Sequence, residues 1–263
     1  MFEVFSYGFM HKALLAGIII GLATGTLAPF IVLRRLSLLG DGIAHLAFGG
    51  IAIGFLLGIS PFITALIVAV LGALFVRKLI QKNVYGEAAI ALILSFGIGI
   101  GIVIIGATRG FGVNLFSFLI GSILALQWYD IILLSVLGLC TIIFILRYYR
   151  ELFMLTFQQD LAHMESSRTK VADIGFTIIA AVVTIMTVQA VGILLVSALL
   201  VVPALIALRL SNSFKQTIVY AIGAAVLANI LGIIGSFYAD VPPSGFIVLT
   251  LLGMYMVILM IKR

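Results

Sequence analysis

The stretch around which this chain is organised reads LSLLGDGIAHLA, at residues 36–47. It places a carboxylate, Asp41, and an imidazole, His45, four residues apart at the start of a long apolar segment. On a helix, positions i and i+4 lie on one face, so both side chains can reach a single divalent cation. Because ionisable residues inside membrane segments are functional candidates, we predict a metal site at Asp41 and His45.

Each residue of this pair also has a simpler structural explanation. Asp41 stands where a helix opens, a position at which a carboxylate can cap backbone N–H groups. His45 can be a core imidazole bonded to a backbone carbonyl, although it is the only histidine within a predicted span beyond the first turn. Two ligands are fewer than the four of tetrahedral zinc, so water, carbonyls or a second copy of the chain must supply the rest. An incomplete site suits transient binding during transport.

The composition excludes a soluble globular protein. Of 263 residues, 64% are hydrophobic and 9% are charged, whereas about a quarter are charged in a soluble domain. The sequence therefore predicts an all-α polytopic membrane protein, with residues 1–263 forming one transmembrane domain. The net charge is +6. In a membrane protein, the Lys and Arg residues that produce such a charge mark the cytoplasmic side, so it is no sign of nucleic-acid binding. The single cysteine, Cys140, can form no internal disulfide and is predicted to be a small buried hydrophobe.

The apolar runs define the number of membrane crossings. A helix needs about 20 apolar residues to cross about 30 Å of hydrocarbon. Nine spans are predicted, near residues 10–33, 40–58, 61–77, 87–106, 130–147, 172–190, 192–209, 216–237 and 245–261. The apolar segment 115–126 would form a helix of only about 18 Å, so we predict a re-entrant or interfacial piece there.

The basic residues set the orientation, because cytoplasmic loops carry an excess of Lys and Arg. With the N-terminus outside and nine crossings, most of them fall on the cytoplasmic side. These are Arg34, Arg35, Arg77, Lys78, Lys82, Arg147, Arg150, Arg168, Lys170, Arg209, Lys215, Lys262 and Arg263. If residues 115–126 crossed as well, the eight basic residues from Arg147 onward would move outside. We predict a multi-pass protein of the cell membrane with a cytoplasmic C-terminus; eight or ten crossings are the alternatives.

Two prolines, Pro29 and Pro203, stand inside predicted spans, where each favours a kink or a break. By counting, Asp41 lies near the cytoplasmic end of its span. If Pro29 ended the first helix early, residues 30–39 could fold back and place Asp41 deeper in the bilayer.

The remaining polar side chains are predicted to be structural. Glu87 and Asp173 begin predicted helices, where a carboxylate favours the positive end of the dipole. Three acidic residues lie at outer ends or loops: Glu3, Asp130 and Asp240. Three neutral residues near the spans are expected to form structural hydrogen bonds: Gln189, Asn229 and Ser197.

The longest polar interval, residues 148–170, lies on the basic side and is predicted to contain a short amphipathic helix. It is either a plain linker or the place where a soluble motor acts on the spans. The sequence has no Gly-x-x-x-x-Gly-Lys-Ser/Thr phosphate loop, so the chain cannot hydrolyse ATP by that route. It also lacks a His-Glu-x-x-His motif and a nucleophile elbow.

These residues resemble the permease subunit of ABC importers for zinc, manganese and related divalent metals, over nearly the whole chain. The family pattern of a basic pair, then Gly-Asp, then His four residues later is matched by residues 34–45. Residues 191–204 resemble its apolar strip with Gly and Pro, and residues 238–245 its Pro-Ser/Ala-Gly turn. The first two motifs are specific in combination, and the third is weak alone. The sequence departs from the family at Gly49-Gly50, where many members have Pro-Gly, and at Ser166-Ser167, where no second acidic residue stands.

The resemblance implies a set of partners and roles. It implies a homodimer, two cytoplasmic ABC ATPase subunits and an extracytoplasmic metal-binding protein, with no permanently bound cofactor and no enzymatic activity of the chain itself. It implies that Asp41 and His45 hold zinc, manganese or iron as the transported substrate during alternating access. It also implies ATPase contacts at Phe157, Asp160, Leu161 and Ala162.

Three other functions remain as alternatives. A metal- or proton-coupled secondary carrier would use Asp41 and His45 as a proton relay and need no ATPase. A membrane-embedded metalloenzyme would need a further general base or nucleophile at membrane depth, for which the sequence offers no convincing candidate. An accessory scaffold would tolerate loss of both residues.

Overall fold

The computed structural model describes residues 7–107, 121, 123–157 and 167–261. Within these ranges the chain is helical and contains no strand, which confirms the predicted all-α fold. The α-helices are α1 (Gly8–Leu33), α2 (Leu39–Leu57), α3 (Pro61–Gln81), α4 (Gly86–Ala107), α5 (Trp128–Arg147), α6 (Tyr149–Phe157), α7 (Ser167–Val191), α8 (Val196–Leu210), α9 (Phe214–Ala239) and α10 (Pro243–Ile261). Short 3-10 turns occupy Ile123–Ala125 and Ile193–Leu195.

Eight of these helices are long and apolar enough to cross a membrane, namely α1 to α5, α7, α9 and α10. The predicted span at 192–209 is interrupted. Gly192 has φ 90 and ends α7, a 3-10 turn follows, and α8 has 15 residues, or about 22 Å of helix. Glycine permits this left-handed backbone at no steric cost, which explains why the break falls there.

The helices pack around two apolar cores, and α1 contributes side chains to both. One core contains the second half of α1 together with α2, α3, α4 and α7. The other contains the first half of α1 with α8, α9 and α10. The spans α1, α2 and α7 are mostly buried within the chain, whereas α10 lies at the periphery with only a small part buried. The helix that carries Asp41 is therefore an inner helix of the bundle.

Two local predictions are wrong. Pro29 does not end α1, which continues to Leu33, so residues 30–39 do not fold back from it. Pro203 lies inside α8, so it does not break that helix, and a kink there stays a prediction. Cys140 is exposed, because it falls beside the buried stripe Leu134, Gly138, Thr141 and Ile145 with which α5 faces the bundle. Most of the predicted re-entrant segment 115–126 lies outside the described residues, so its re-entrant structure stays a prediction.

One end of the bundle gathers cationic side chains, and we call it the basic end. The Arg34 guanidinium, just after α1, and that of Arg77, near the end of α3, both bind the Asp173 carboxylate of α7. These contacts bring the end of α1, the end of α3 and the first part of α7 to the same level. This arrangement is the one expected if successive spans cross the membrane in alternate directions, as the distribution of basic residues predicts.

Candidate metal site

Asp41 lies in the first turn of α2, and His45 follows one turn later. The residue before the helix is Leu38, and no side chain caps this helix start. Asp41 is the third residue of the helix, so the explanation of Asp41 as the N-cap is wrong. Its carboxylate instead accepts a hydrogen bond from the Ser197 hydroxyl.

Ser197 is the second residue of α8, and it brings a second helix to the pair. The break at Gly192 allows α8 to begin beside Asp41: a Cβ added to Gly40 would lie 2.8 Å from the Leu200 side chain and 3.4 Å from that of Val196. The sequence predicted a structural hydrogen bond from Ser197 but gave no sign that its acceptor is a candidate metal ligand. Gly192, five residues earlier, was the signal for a helix start at this position.

The candidate site is open on one side. Asp41, His45 and Ser197 are each partly exposed, although most of their neighbours on α2 and α8 are fully buried. Within the part of the chain that the structure describes, the His45 imidazole makes no hydrogen bond, so no carbonyl explains it as a core histidine. The imidazole, and the Asp41 carboxylate oxygen that does not accept from Ser197, can therefore meet a ligand that comes from this open side.

A tight helix contact fixes the backbone at His45. Gly97 of α4 faces α2 so closely that an added Cβ would lie 2.3 Å from the Leu46 Cα and 2.6 Å from the His45 carbonyl oxygen. Gly49 meets the Gly97 carbonyl oxygen from the other side, at 2.7 Å from an added Cβ. Small residues allow this approach of membrane helices. The contact sets the face that His45 presents.

The ligand set within one chain is small. Among the described residues, no three His, Cys, Asp or Glu side chains come together in a group that could hold a metal ion. The carboxylate, the imidazole and the neighbouring hydroxyl are what this chain offers at Asp41. Divalent transition metals need at least one more donor than the pair and the hydroxyl provide.

A second charged cluster lies at the basic end, and the sequence analysis did not find it. Asp173 is not at the start of its helix, because α7 begins six residues earlier at Ser167. Its side chain is 13% exposed, and the carboxylate accepts hydrogen bonds from Arg34 Nη2 at 2.5 Å and from Arg77 Nε at 2.6 Å. A cavity of about 300 Å³ adjoins this cluster. An aspartate seven residues into an apolar helix was the available signal.

The remaining predicted structural residues are mostly placed as expected. Asp130 forms a capping box with Gln127 at the start of α5, and Gln189 Nε2 donates to its carboxylate at 3.0 Å. Glu87 lies in the first turn of α4, and Asp240 ends α9 with φ 53. Asn229 of α9 is fully buried and forms no hydrogen bond to any described residue, contrary to expectation. Glu3 lies outside the described residues.

The predicted ATPase contact is described only in part. Phe157 is the last residue of α6 and is half exposed; its ring centroid lies 4.7 Å from that of Phe153 and 5.4 Å from that of Phe214. Leu152 and Leu155 are buried, as predicted for the amphipathic helix. Asp160, Leu161 and Ala162 lie outside the described residues, so their role remains a prediction.

Comparison with known proteins shows where this architecture belongs. Residues 6–262 match the ABC 3 transport family. The chain belongs to that family. This ABC 3 chain is 32% identical to the manganese transport system membrane protein MntC of Halalkalibacterium halodurans, over 94% of this chain and 85% of the relative. It is 27% identical to the high-affinity zinc uptake system membrane protein ZnuB of Haemophilus influenzae, over 91% of this chain and 90% of the relative.

A solved structure extends the similarity to three dimensions. The ABC 3 chain superposes on a chain of PsaBC from Streptococcus pneumoniae, solved in complex with Fab, with a TM-score of 0.84 and 28% identity. The match covers 97% of this chain and 92% of that chain. The predicted resemblance to permeases of metal ABC importers is therefore confirmed, and the chain is a multi-pass membrane protein with a transport role.

Proposed function

We propose that this chain is the permease subunit of an ATP-driven importer for a divalent transition metal, with manganese and zinc as the first candidates. The observation that carries the proposal is the open site at which Asp41 and His45 share a face of α2 and Ser197 of α8 meets the carboxylate. The relatives named for manganese and zinc transport support the choice of metals.

The donor set fits such a substrate. A carboxylate and a hydroxyl suit manganese, an imidazole suits zinc, and no thiolate is present to favour softer ions. Because one chain supplies few donors and the site is open on one side, we propose that two copies of the chain form a homodimer around the pathway. Water and the second copy then complete the coordination. A partly hydrated ion held by few protein donors can leave quickly, as transport requires.

The energy source is proposed to be a separate chain. Because the sequence contains no phosphate loop, the proposal assigns ATP hydrolysis to separate ABC ATPase subunits that bind at the basic end. We place their contact at Phe157, Asp160, Leu161 and Ala162, and the basic end with the C-terminus in the cytoplasm of a cell-membrane protein. An extracytoplasmic metal-binding protein delivers the ion to the other end.

The steps of the cycle follow from this placement. The ion enters from the outer end, is held by Asp41 and His45, and leaves at the basic end when the ATPases close. Movement of α8 relative to α2 would break the hydrogen bond between Ser197 and Asp41 and change the donors around the ion. The site is thereby exposed first to one side of the membrane and then to the other.

The experiment that tests the proposal measures bound metal on the detergent-purified permease with its ATPase. Wild type, Asp41→Ala and His45→Ala are equilibrated with manganese, zinc and iron in turn and analysed by elemental analysis. Asp240→Ala and His11→Ala serve as matched controls, because both residues are exposed and far in sequence from the site. Loss of one metal from both site variants, with the controls unchanged, supports the proposal; retention in both site variants contradicts it. Transport into vesicles with and without ATP separates the importer from a secondary carrier.

A further inference from the structure

The charged cluster at the basic end joins three helices through one buried carboxylate. Asp173 of α7 binds Arg34, at the end of α1, and Arg77 of α3 at the same time. The Arg34 guanidinium carbon also lies 4.9 Å from the centre of the Phe176 ring. Removal of one partner from a buried ion pair leaves the other charge uncompensated, so this cluster holds its helices together as a unit.

Arg34 is the first residue of the turn that leads into α2. Its neighbour Arg35 has φ 58, a left-handed backbone that non-glycine residues rarely adopt. Hydrogen bonds from the amides of Arg35 and Leu36 to the carbonyls of Val32 and Ile31 close the turn. Asp41 follows within the first turn of α2. The ion pair between Asp173 and Arg34 therefore helps to fix the position of Asp41 relative to α7.

The cavity beside the cluster reaches the start of the helix that carries the candidate metal site. Its wall includes Leu36, in the turn before α2, and Leu39, the first residue of α2, but not Asp41 itself. Leu155 contributes from α6, the helix that precedes the predicted ATPase contact. The cavity is therefore bordered by the basic end, the start of α2 and α6.

The charges around the cavity oppose the passage of a cation. Arg34, Arg77 and Asp173 are its only charged lining residues among those that the structure describes, with a net charge of +1. Both guanidinium groups occupy the one carboxylate that would attract a divalent ion. Like charges repel, and most strongly where water does not screen them. In this arrangement the lining has a net positive charge and no carboxylate free of an arginine, which disfavours a cation.

We propose that Asp173, with Arg34 and Arg77, forms the inner latch of the permease. In the closed state the latch holds the turn before α2 and keeps cations out of the cavity. When the ATPases move α6, the latch opens, Asp173 is freed from at least one arginine, and the path from Asp41 to the basic end is open. The latch is a positioning and gating element and does not bind the ion at the Asp41 site. This inference rests on the proposed function, in that it assumes an inward path through the basic end.

The test measures access to the cavity and needs neither metal nor ATP. In the full chain with Cys140→Ser, the substitution Leu39→Cys places one thiol in the cavity wall. An impermeant, cationic thiosulfonate reagent is added to inside-out membrane vesicles, and the rate of modification is measured. Because Asp173→Asn makes the cavity lining more positive, electrostatics alone would lower the rate for this reagent. Because loss of one partner of a buried ion pair shifts the balance between closed and open states, Asp173→Asn is expected to raise this rate by about tenfold or more.

Three controls separate an open latch from a loosened protein. Asp173→Glu keeps the net charge and a carboxylate for both arginines, and it is expected to hold the rate within about twofold of the parent. Lys78→Gln, one residue from Arg77 but outside the cavity lining, is expected to leave the rate unchanged. A thiol introduced by Leu57→Cys at the far end of α2, labelled in right-side-out vesicles, should keep its rate in Asp173→Asn.

The proposal is overturned if Asp173→Asn leaves the rate at the Leu39 position unchanged. It is also overturned if both ends of α2 become equally more reactive, which marks general destabilisation, or if Asp173→Glu reacts as fast as Asp173→Asn, which shows that the carboxylate is not what keeps the cavity closed. Metal binding to the same variants is measured in parallel. If the accessibility of the Leu39 position changes as expected but the parent chain binds no metal, the latch is supported and only the proposed function is contradicted.

Discussion

The Ser197 hydroxyl donates a hydrogen bond to the Asp41 carboxylate across 156 positions of the sequence. This bond joins the start of α8 to the start of α2 at the candidate metal site. It makes Ser197 either a donor to the ion or the group that orients the carboxylate toward it. Both roles predict an effect on metal binding.

Ser197→Ala is expected to weaken metal binding by about tenfold, because groups that orient metal ligands typically contribute this much. Titration of the purified complex with manganese and with zinc measures the change. Ser135→Ala is the matched control, since the Ser135 hydroxyl bonds, among the described residues, only to the Ile131 carbonyl of its own helix. Equal affinities for Ser197→Ala and wild type would show that the bond has no part in binding.

The contact between α2 and α4 predicts a difference between two glycines on the same helix. Gly97→Ala places a Cβ against the backbone at His45 and Leu46 and is expected to destabilise the protein by about 1–3 kcal/mol and to weaken metal binding. Gly99→Ala meets no atom within 4 Å and is expected to be close to neutral. Thermal unfolding in detergent, followed by metal titration, tests both variants. Similar unfolding temperatures for the two would contradict the close packing.

Phe157 provides a test of the proposed ATPase contact that does not depend on the metal. Phe157→Ala is expected to reduce co-purification of the ATPase and to leave metal binding to the permease unchanged. Phe75→Ala is the control, because Phe75 on α3 has nearly the same exposure, 52% against 50%, and lies on the apolar surface of a span. If both variants retain the ATPase equally, Phe157 is not part of the contact.

Replacement of the buried amide of Asn229 by an apolar side chain is expected to stabilise the protein. The Asn229 amide is fully buried and without a hydrogen bond to the residues that the structure describes. Because an unsatisfied buried polar group costs about 1–3 kcal/mol, Asn229→Leu is expected to raise the unfolding temperature, and Asn229→Asp to lower it. A lower unfolding temperature for Asn229→Leu would show that the amide has a partner in the folded protein or that leucine does not fit there.

The sequence predicted those features that depend on local composition. The long apolar runs predicted eight helices that the structure contains as spans, and the spacing of Asp41 and His45 predicted their common face on α2. Apolar composition could not show where the predicted span 192–209 is broken, because the residues on both sides of Gly192 are equally hydrophobic. The backbone conformation of one glycine decides where α8 starts.

The contacts that the sequence analysis missed are long-range pairs. Asp173 lies 139 residues from Arg34 and 96 from Arg77, and thirteen cationic residues were assigned to the same side of the membrane. Nothing in the local pattern selects two of them as partners of one carboxylate. Helix packing makes that choice, since it depends on which faces of α1, α3 and α7 meet. The same reasoning applies to Ser197 and Asp41.

The buried start of α8 has an electrical consequence for the ion. Leu195 and Val196 are almost completely buried, and no side chain caps the helix there. The first peptide groups of a helix carry a partial positive charge, which is poorly screened when the helix begins in the protein interior. A cation at Asp41 would therefore feel attraction from the carboxylate and repulsion from the helix end beside it. If the ion binds at Asp41 as proposed, this balance would shorten its residence time, which favours release in a transporter and would cost affinity in a storage protein.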